Sequence, residues 1–266
     1  VFPDAVFPDA VFPDVTALPG TLAYAVPGWG GHLADEVLPL ASVGKVLLLA
    51  SVAQGFVSGE LDPEELLTIE DDDYSAGSGL LRNLSVRRWT LDDLARLTAA
   101  VSDNTATNAL LRRVGLERVA ADAAALGLEQ TRILDRIREP RLAEHPPTFA
   151  VGTARELAGF VGVVAADPGW GRVVLEWMAG CLDRSMVAAA IAHDPEDSVV
   201  REVPVAGLWV ANKTGTDVGM RCDVGVVRGA RQVCYAVVTQ CSAGREFEMV
   251  RGMREIGAVV GGLAWS

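Results

Sequence analysis

Hydrophobic and polar positions divide the chain into stretches of different period. A short apolar run over residues 21–26, closed by Pro27-Gly28 and a Gly-rich turn through Gly31, predicts a strand. From Ser42 the character changes. Ser42-Val43-Gly44-Lys45 and the residues to Ala53 are apolar all round, which predicts a helix buried on every side rather than an amphipathic one. Helical periods follow over residues 91–100, 105–114, 116–126, 151–165 and 173–190. Between them, residues 134–149 hold three prolines and no clear period, and so predict a long loop. After Pro195 the pattern turns to short apolar strands over 205–211, 222–227 and 232–239, the last two joined as a hairpin through Arg228-Gly229-Ala230-Arg231. A final helix is expected from Arg245 to about Gly261.

One strand, many helices, then three strands and a helix predict an α/β layer whose sheet is completed by both ends of the chain. The expected division is an α/β part at 15–41 and 201–266, with a helical subdomain inserted at 42–200. The first fourteen residues stand apart, because they repeat Val-Phe-Pro-Asp-Ala almost three times. Proline at every fifth position excludes a helix and a central strand, leaving an extended arm outside the fold.

Composition narrows the function classes. Half of the 266 residues are apolar and 22% are charged, which excludes wholesale disorder. A net charge of −12 argues against nucleic acid as a partner. No charge-free apolar run reaches the roughly 18 residues that span a bilayer, so a soluble chain without a membrane span is expected. The four cysteines, at 181, 222, 234 and 241, and the three histidines, at 32, 145 and 193, show no metal-ligand spacing. No metal and no cofactor are expected, and the cysteines read as free thiols.

The basic residues carry more information. Of 23, 21 are Arg and only Lys45 and Lys213 are Lys. A guanidinium stays protonated and cannot relay protons, whereas a buried ammonium can lose its charge. Ser42 and Lys45 are three apart at the start of the apolar helix, on one face. A neutral amine there can take the serine proton, and helix N–H groups face developing negative charge. Ser102-Asp103-Asn104 opens a helix, where all three residue types also serve as N-caps. Lys213-Thr214-Gly215-Thr216 follows a strand and suits a carboxylate site, though a polar turn reads the same way.

In this order, S-x-x-K, S-D-N and K-T-G form the motif set shared by class A β-lactamases and penicillin-binding proteins. The chain resembles class A β-lactamases from about residue 20 to its end. That resemblance implies an antiparallel sheet flanked by helices, with an inserted all-helical subdomain. It implies Ser42 as the acylated nucleophile, Lys45 as its proton acceptor or relay, and Ser102 as the donor to the departing lactam nitrogen. Asn104 would hold the substrate amide, Lys213 and Thr214 its carboxylate, with Gly215 between Thr214 and Thr216 in the same substrate-binding run. The backbone N–H groups of Ser42 and Thr216 would form the oxyanion hole. Asn108 matches an Asn that braces the active-site loop.

The loop departs from the family. Class A enzymes carry E-x-x-L-N, whose Glu and Asn hold the hydrolytic water. Here Glu139-Pro140-Arg141-Leu142 fits, but Ala143 stands in place of the Asn. The Asp135-Arg136 pair lies one residue too far upstream, and an ungapped reading puts Arg138 in place of the Glu. Glu139 is the expected water-activating base, against a plain loop carboxylate. Arg221 reads as a hairpin-edge residue or an aid to carboxylate binding. The expected function is a serine β-lactamase acting on a small-molecule β-lactam. The alternatives are a related hydrolase or DD-peptidase taking peptidoglycan-like peptides, and a β-lactam binder that stays acylated. A monomer is expected, and the resemblance favours an exported protein although the chain shows no signal peptide.

Overall fold

The computed structural model describes residues 11–201, 204 and 207–266. The strands are β1 Gly20–Val26, β2 Gly30–His32, β3 Leu38–Pro39, β4 Leu66–Thr68, β5 Arg88–Thr90, β6 Arg132–Ile133, β7 Ala150–Gly152, β8 Trp209–Asp217, β9 Met220–Arg228 and β10 Gln232–Cys241. The helices are α1 Lys45–Ser58, α2 Leu91–Ala100, α3 Asn104–Val114, α4 Leu116–Ala125, α5 Ala154–Ala166, α6 Trp170–Ala179 and α7 Glu246–Trp265.

The all-round apolar run becomes α1, in which every residue from Lys45 to Ala53 is buried. Helices α2, α3, α4 and α6 pack around it. The segment Ala41–Ser58 is long and apolar enough to cross a bilayer by length and composition, yet 72% of it is buried inside the protein. Its apolar surface is therefore covered by neighbouring helices, as befits a core helix.

Both ends of the chain complete one antiparallel sheet in the order β2-β1-β10-β9-β8. Alternation along the strands divides the core into two layers. Ala23, Ala25, Ala211, Val224, Val226 and Ala236 join the layer containing α1 and α5. Leu22, Tyr24, Val26, Val210, Val227 and Val237 join Met249, Met253, Ile256 and Val260 of α7 on the other face. A sheet buried on both faces reads as continuous apolar runs, which is how its strands appear in the sequence.

Several elements differ from expectation. The Gly-rich turn carries β2, so the sheet has five strands. The helix expected over 151–165 begins instead at Ala154. Residues 150–152 pair with β3 and β6, and Thr153 caps the helix by accepting from the Glu156 N–H at 3.1 Å. The helix expected over 173–190 stops at Ala179. Arg184 folds back to donate to the Ala179 carbonyl at 2.7 Å, and Val187–Ala190 forms a separate 3-10 turn. Of the strand expected over 205–211, residues 205 and 206 lie outside the described residues, and β8 runs on through Asp217. Residues 1–10 of the repeat also lie outside them. Its third copy belongs to the fold, because Phe12 stacks on Tyr24 at 5.1 Å and lies against Gly30. Cys222 pairs with Val238 and Cys234 with Val226, out of register for a disulfide, and all four cysteines are free.

Leu48 is fully buried in α1. Leu48→Ala should lower the unfolding free energy by about 2–5 kcal/mol, read from urea unfolding. A loss within 0.5 kcal/mol, the usual range of a surface substitution, would contradict a core role for α1.

Candidate active site

The nucleophile candidate is not in the helix itself. Ser42 lies in a 3-10 turn, Ala41–Gly44, that runs directly into α1, and Ala41 adopts φ +43°. Leu40 is tied to β7 by its N–H donating to the Ala150 carbonyl at 3.0 Å. Ser42 is half-buried, whereas Lys45 below it is fully buried. The first N–H groups of such a segment have no acceptor within it, and the Ser42 amide is one of them.

Ser102-Asp103-Asn104 sits opposite. Ser102 has φ +55°, a left-handed conformation costly for a residue with a Cβ. The strain is held from both sides. Asp103 caps α3 by accepting from the Ala106 N–H at 2.9 Å. Its other oxygen accepts from the N–H groups of Leu80 and Leu81 at 2.6 and 2.9 Å. Gly79, at φ +115°, makes room for this latch, since a Cβ there would stand 2.4 Å from the Asp103 carboxyl. Asn104 donates to the Ala76 carbonyl at 2.7 Å. The capping role and the site role therefore fall to neighbouring residues of one motif.

Lys45 donates to the Ser102 carbonyl at 2.7 Å, to Ser102 Oγ at 3.1 Å and to Asn104 Oδ1 at 2.8 Å. Those three bonds use all of its donors, and none goes to the Ser42 hydroxyl. Lys213, also fully buried, donates to Ser102 Oγ at 3.0 Å and to the Thr214 carbonyl at 2.7 Å. One hydroxyl thus stands between two ammonium groups. Burial holds the Lys45 ammonium well below the usual lysine range, and the charge of Lys213 pushes the same way against Asp103. Burial lowers Lys213 too, opposed by Cys181, Asp183 and Asp223. Lys213 has a third N–H beyond these two bonds, which Lys45 does not.

The K-T-G run lies within β8 rather than after it. Opposite Thr216, the backbone of Arg221 turns toward β10, its N–H donating to the Thr239 hydroxyl at 3.2 Å and its carbonyl accepting from that hydroxyl at 2.9 Å. Arg221 and Thr216 are therefore a non-hydrogen-bonded pair, and the Thr216 N–H points off the free edge of the sheet. The Thr214 carbonyl, two residues away, points the same way, toward Lys213. Gly215 fixes where this edge lies. A Cβ there would stand 2.7 Å from the Leu40 carbonyl oxygen, 2.9 Å from the Val43 nitrogen and 3.1 Å from the Ser42 nitrogen. Thr214 is buried, and its hydroxyl helps to hold the Asp183 carboxyl below its usual range against the effect of burial.

The long loop runs between β6 and β7, with the predicted bounds 134–149. Asn108 braces it through both backbone groups of one residue: its Oδ1 accepts from the Ile137 N–H at 2.8 Å, and its Nδ2 donates to the Ile137 carbonyl at 2.9 Å. Asp135 gathers Arg138 at 2.7 Å and Arg141 at 3.4 Å, so Arg138 serves the loop's own structure. Glu139 is exposed and forms no hydrogen bond or ion pair with the described residues. The structure therefore brings Lys45, Ser102, Asn104 and Lys213 into one bonded cluster, sets Gly215 against the Ser42 turn, and leaves Glu139 outside that network. Arg221 donates to the carbonyls of Asp217 and Met220, and so ties the β8–β9 turn.

Sequence reasoning missed a second polar layer behind β8. Asp223 is fully buried and accepts from Asn212 Nδ2 at 3.0 Å, the Tyr235 hydroxyl at 3.1 Å and the Val187 N–H at 3.0 Å. Arg184 donates to Asn212 Oδ1 at 2.5 Å and to the Val210 carbonyl at 3.1 Å. An aspartate in an otherwise apolar strand, Cys222-Asp223-Val224-Gly225-Val226, was the available signal.

Residues 29–262 match the model of the β-lactamase enzyme family. The chain is 30% identical over 192 residues to β-lactamase L2 of Stenotrophomonas maltophilia, covering 70% of this chain and 59% of that one. The match thus spans less than two thirds of that relative's length. Among solved structures, a β-lactamase from Sphaerobacter thermophilus superposes with a TM-score of 0.77 at 26% identity, covering 90% of this chain and 89% of that one. PBP-A shares the fold at a TM-score of 0.79 and 20% identity, covering 94% and 92%.

Gly215→Ala should displace the β8 edge from the Ser42 turn without unfolding the protein. Labelling of Ser42 by a fluorescent penicillin should slow by about 10²-fold, while the thermal transition stays cooperative. An unchanged labelling rate would mean that the contact does not set the site.

Proposed function

The chain belongs to the β-lactamase enzyme family, and from that premise we propose that it is a serine hydrolase opening β-lactams through an acyl-enzyme on Ser42. The observation that carries the reading is the Ser102 hydroxyl held within 3.1 Å of Lys45 Nζ and 3.0 Å of Lys213 Nζ. In the proposed reaction Lys45, in its neutral form, takes the Ser42 proton as Oγ bonds to the lactam carbonyl carbon. The depressed proton affinity of Lys45 supports this step, because an ordinary lysine holds its proton at neutral pH. The N–H groups of Ser42 and Thr216 hold the oxyanion. When the C–N bond breaks, Ser102 gives its proton to the nitrogen and recovers one from the Lys45 ammonium, which closes the proton balance. Lys213 directs its third N–H at the substrate carboxylate, with Thr214 and Gly215 fixing the strand and Asn104 facing the substrate amide.

Water then hydrolyses the ester, with Glu139 as the base. Its exposure and its lack of bonded partners among the described residues favour a second reading beside this one, a protein that acylates readily and deacylates slowly. Ala143 leaves the water without the amide side chain that the family supplies.

Ser42→Ala should abolish covalent labelling by penicillin, seen as the disappearance of the adduct in intact-mass spectra. Labelling that survives would remove Ser42 from the site. Glu139→Ala should leave acylation intact and convert turnover into a persistent adduct, slowing deacylation at least about 10²-fold. Ala143→Asn should speed deacylation in the parent. If Glu139→Ala deacylates at the parent's rate, another group activates the water. A parent that holds its adduct for hours is the slow-deacylating binder.

A further inference from the structure

The segment from Ser75 to Leu81 is laid directly over Ser102-Asp103-Asn104. At one end the Ser75 N–H donates to Thr105 Oγ1 at 3.3 Å, and at the other Leu80 and Leu81 donate to Asp103. Between them the Ser78 carbonyl accepts from the Asn104 N–H at 3.0 Å, and the Ala76 carbonyl accepts from Asn104 Nδ2 at 2.7 Å. This strap is therefore tied to the motif along its length, while Ala76, Gly77 and Ser78 are exposed. At its middle stands Gly77, with φ +88°, a left-handed backbone that favours glycine. A Cβ at Gly77 would lie 2.9 Å from Asn104 Nδ2. The strap thus presents bare backbone where a side chain would cover the Asn104 amide.

The amide left uncovered has a donor to spare. Lys45 takes its Oδ1, and the Ala76 carbonyl takes one hydrogen of Nδ2. A primary amide carries two such hydrogens, and the second has no partner among the described residues, although only 7% of Asn104 is exposed. A buried donor without a partner is costly until an acceptor reaches it. We propose that Gly77 is a specificity-determining residue of the cleft. Its missing side chain keeps the second Nδ2 hydrogen open to a carbonyl oxygen and leaves room beside that oxygen, so the site takes β-lactams with large acylamino side chains. The proposal rests on the β-lactam reading above and adds which part of the substrate the strap selects. An acylamino group offers its carbonyl to the donor and must then pass the strap, where only the hydrogens of glycine stand. A methyl at position 77 closes both features at once. Lys45 bonds to the opposite end of the amide, away from that methyl.

Two substrates that share one reacting ring test this. The bare penicillin nucleus carries a free amine where penicillin G carries a phenylacetylamino group, so it uses neither the donor nor the gap. Acylation of Ser42 by each is followed in intact-mass spectra. Gly77→Ala should lose at least about tenfold of the parent's preference for penicillin G over the bare nucleus. An unchanged preference overturns the proposal. So does an equal slowing of both compounds, because a strap that drags Asn104 away from Lys45 harms every substrate alike. The parent gives an independent measurement should Gly77→Ala not fold. A penicillin with the bulkier dimethoxybenzoyl side chain should acylate the parent within about tenfold of the penicillin G rate. A larger loss means that the strap is already closed to bulk, and the proposal fails. A parent that neither compound acylates sinks the β-lactam reading and this proposal with it. A parent acylated by both, with the preference unmoved in Gly77→Ala, sinks the proposal alone.

Discussion

Two lysine amines withdrawn from water on either side of one hydroxyl, each an ion when protonated, set the terms for the rest of the molecule. Burying even one such ion costs several kcal/mol unless hydrogen bonds and counter-charges offset it. Lys45 is offset by three acceptors and by Asp103 beyond them. Lys213 has two acceptors, with Asp183 and Asp223 behind it. The strained Ser102 backbone, the latch of Asp103 onto Leu80 and Leu81, and the polar layer behind β8 all follow from that one arrangement. Each keeps an acceptor or a negative charge where the ammonium pair requires it.

A sheet edge is normally a liability, because its outward N–H and carbonyl groups invite other strands. Here two outward carbonyls of β8 are engaged by side chains. The Val210 carbonyl accepts from Arg184 and the Thr214 carbonyl from Lys213, while Gly215 brings the strand against the Ser42 turn. Edge protection and the lysine cluster therefore share backbone atoms.

Much of this was legible in the sequence. The buried helix, the loop bounds at 134–149 and the three short motifs rest on local pattern, and local pattern survives tertiary packing. The bracing role of Asn108 was legible through the resemblance. What was not legible depends on contacts between distant segments. Ser42 occupies a 3-10 turn rather than the helix because β8 presses on that backbone. K-T-G lies inside a strand because β9 pairs with it as far as Asp217. The break after Ala179 follows from the reach of Arg184 to β8, which no periodicity records. Asp223 stands alone as a charge in an apolar stretch of sequence, and only the fold sets Asn212, Tyr235 and Val187 around it.

The Gly215 contact joins the Ser42 turn to a strand that the chain reaches only some 170 residues later. Such long-range closure is slow, because loop entropy must be overcome before the contact repays it. During synthesis, a nascent chain presents Ser42 and Lys45 well before β8 exists to bring up Gly215 and the second lysine. On the proposed reading, Ser42 is therefore inert until nearly the whole polypeptide has emerged. Under that same reading acylation would report completed folding, and a β-lactam could not trap the protein half made.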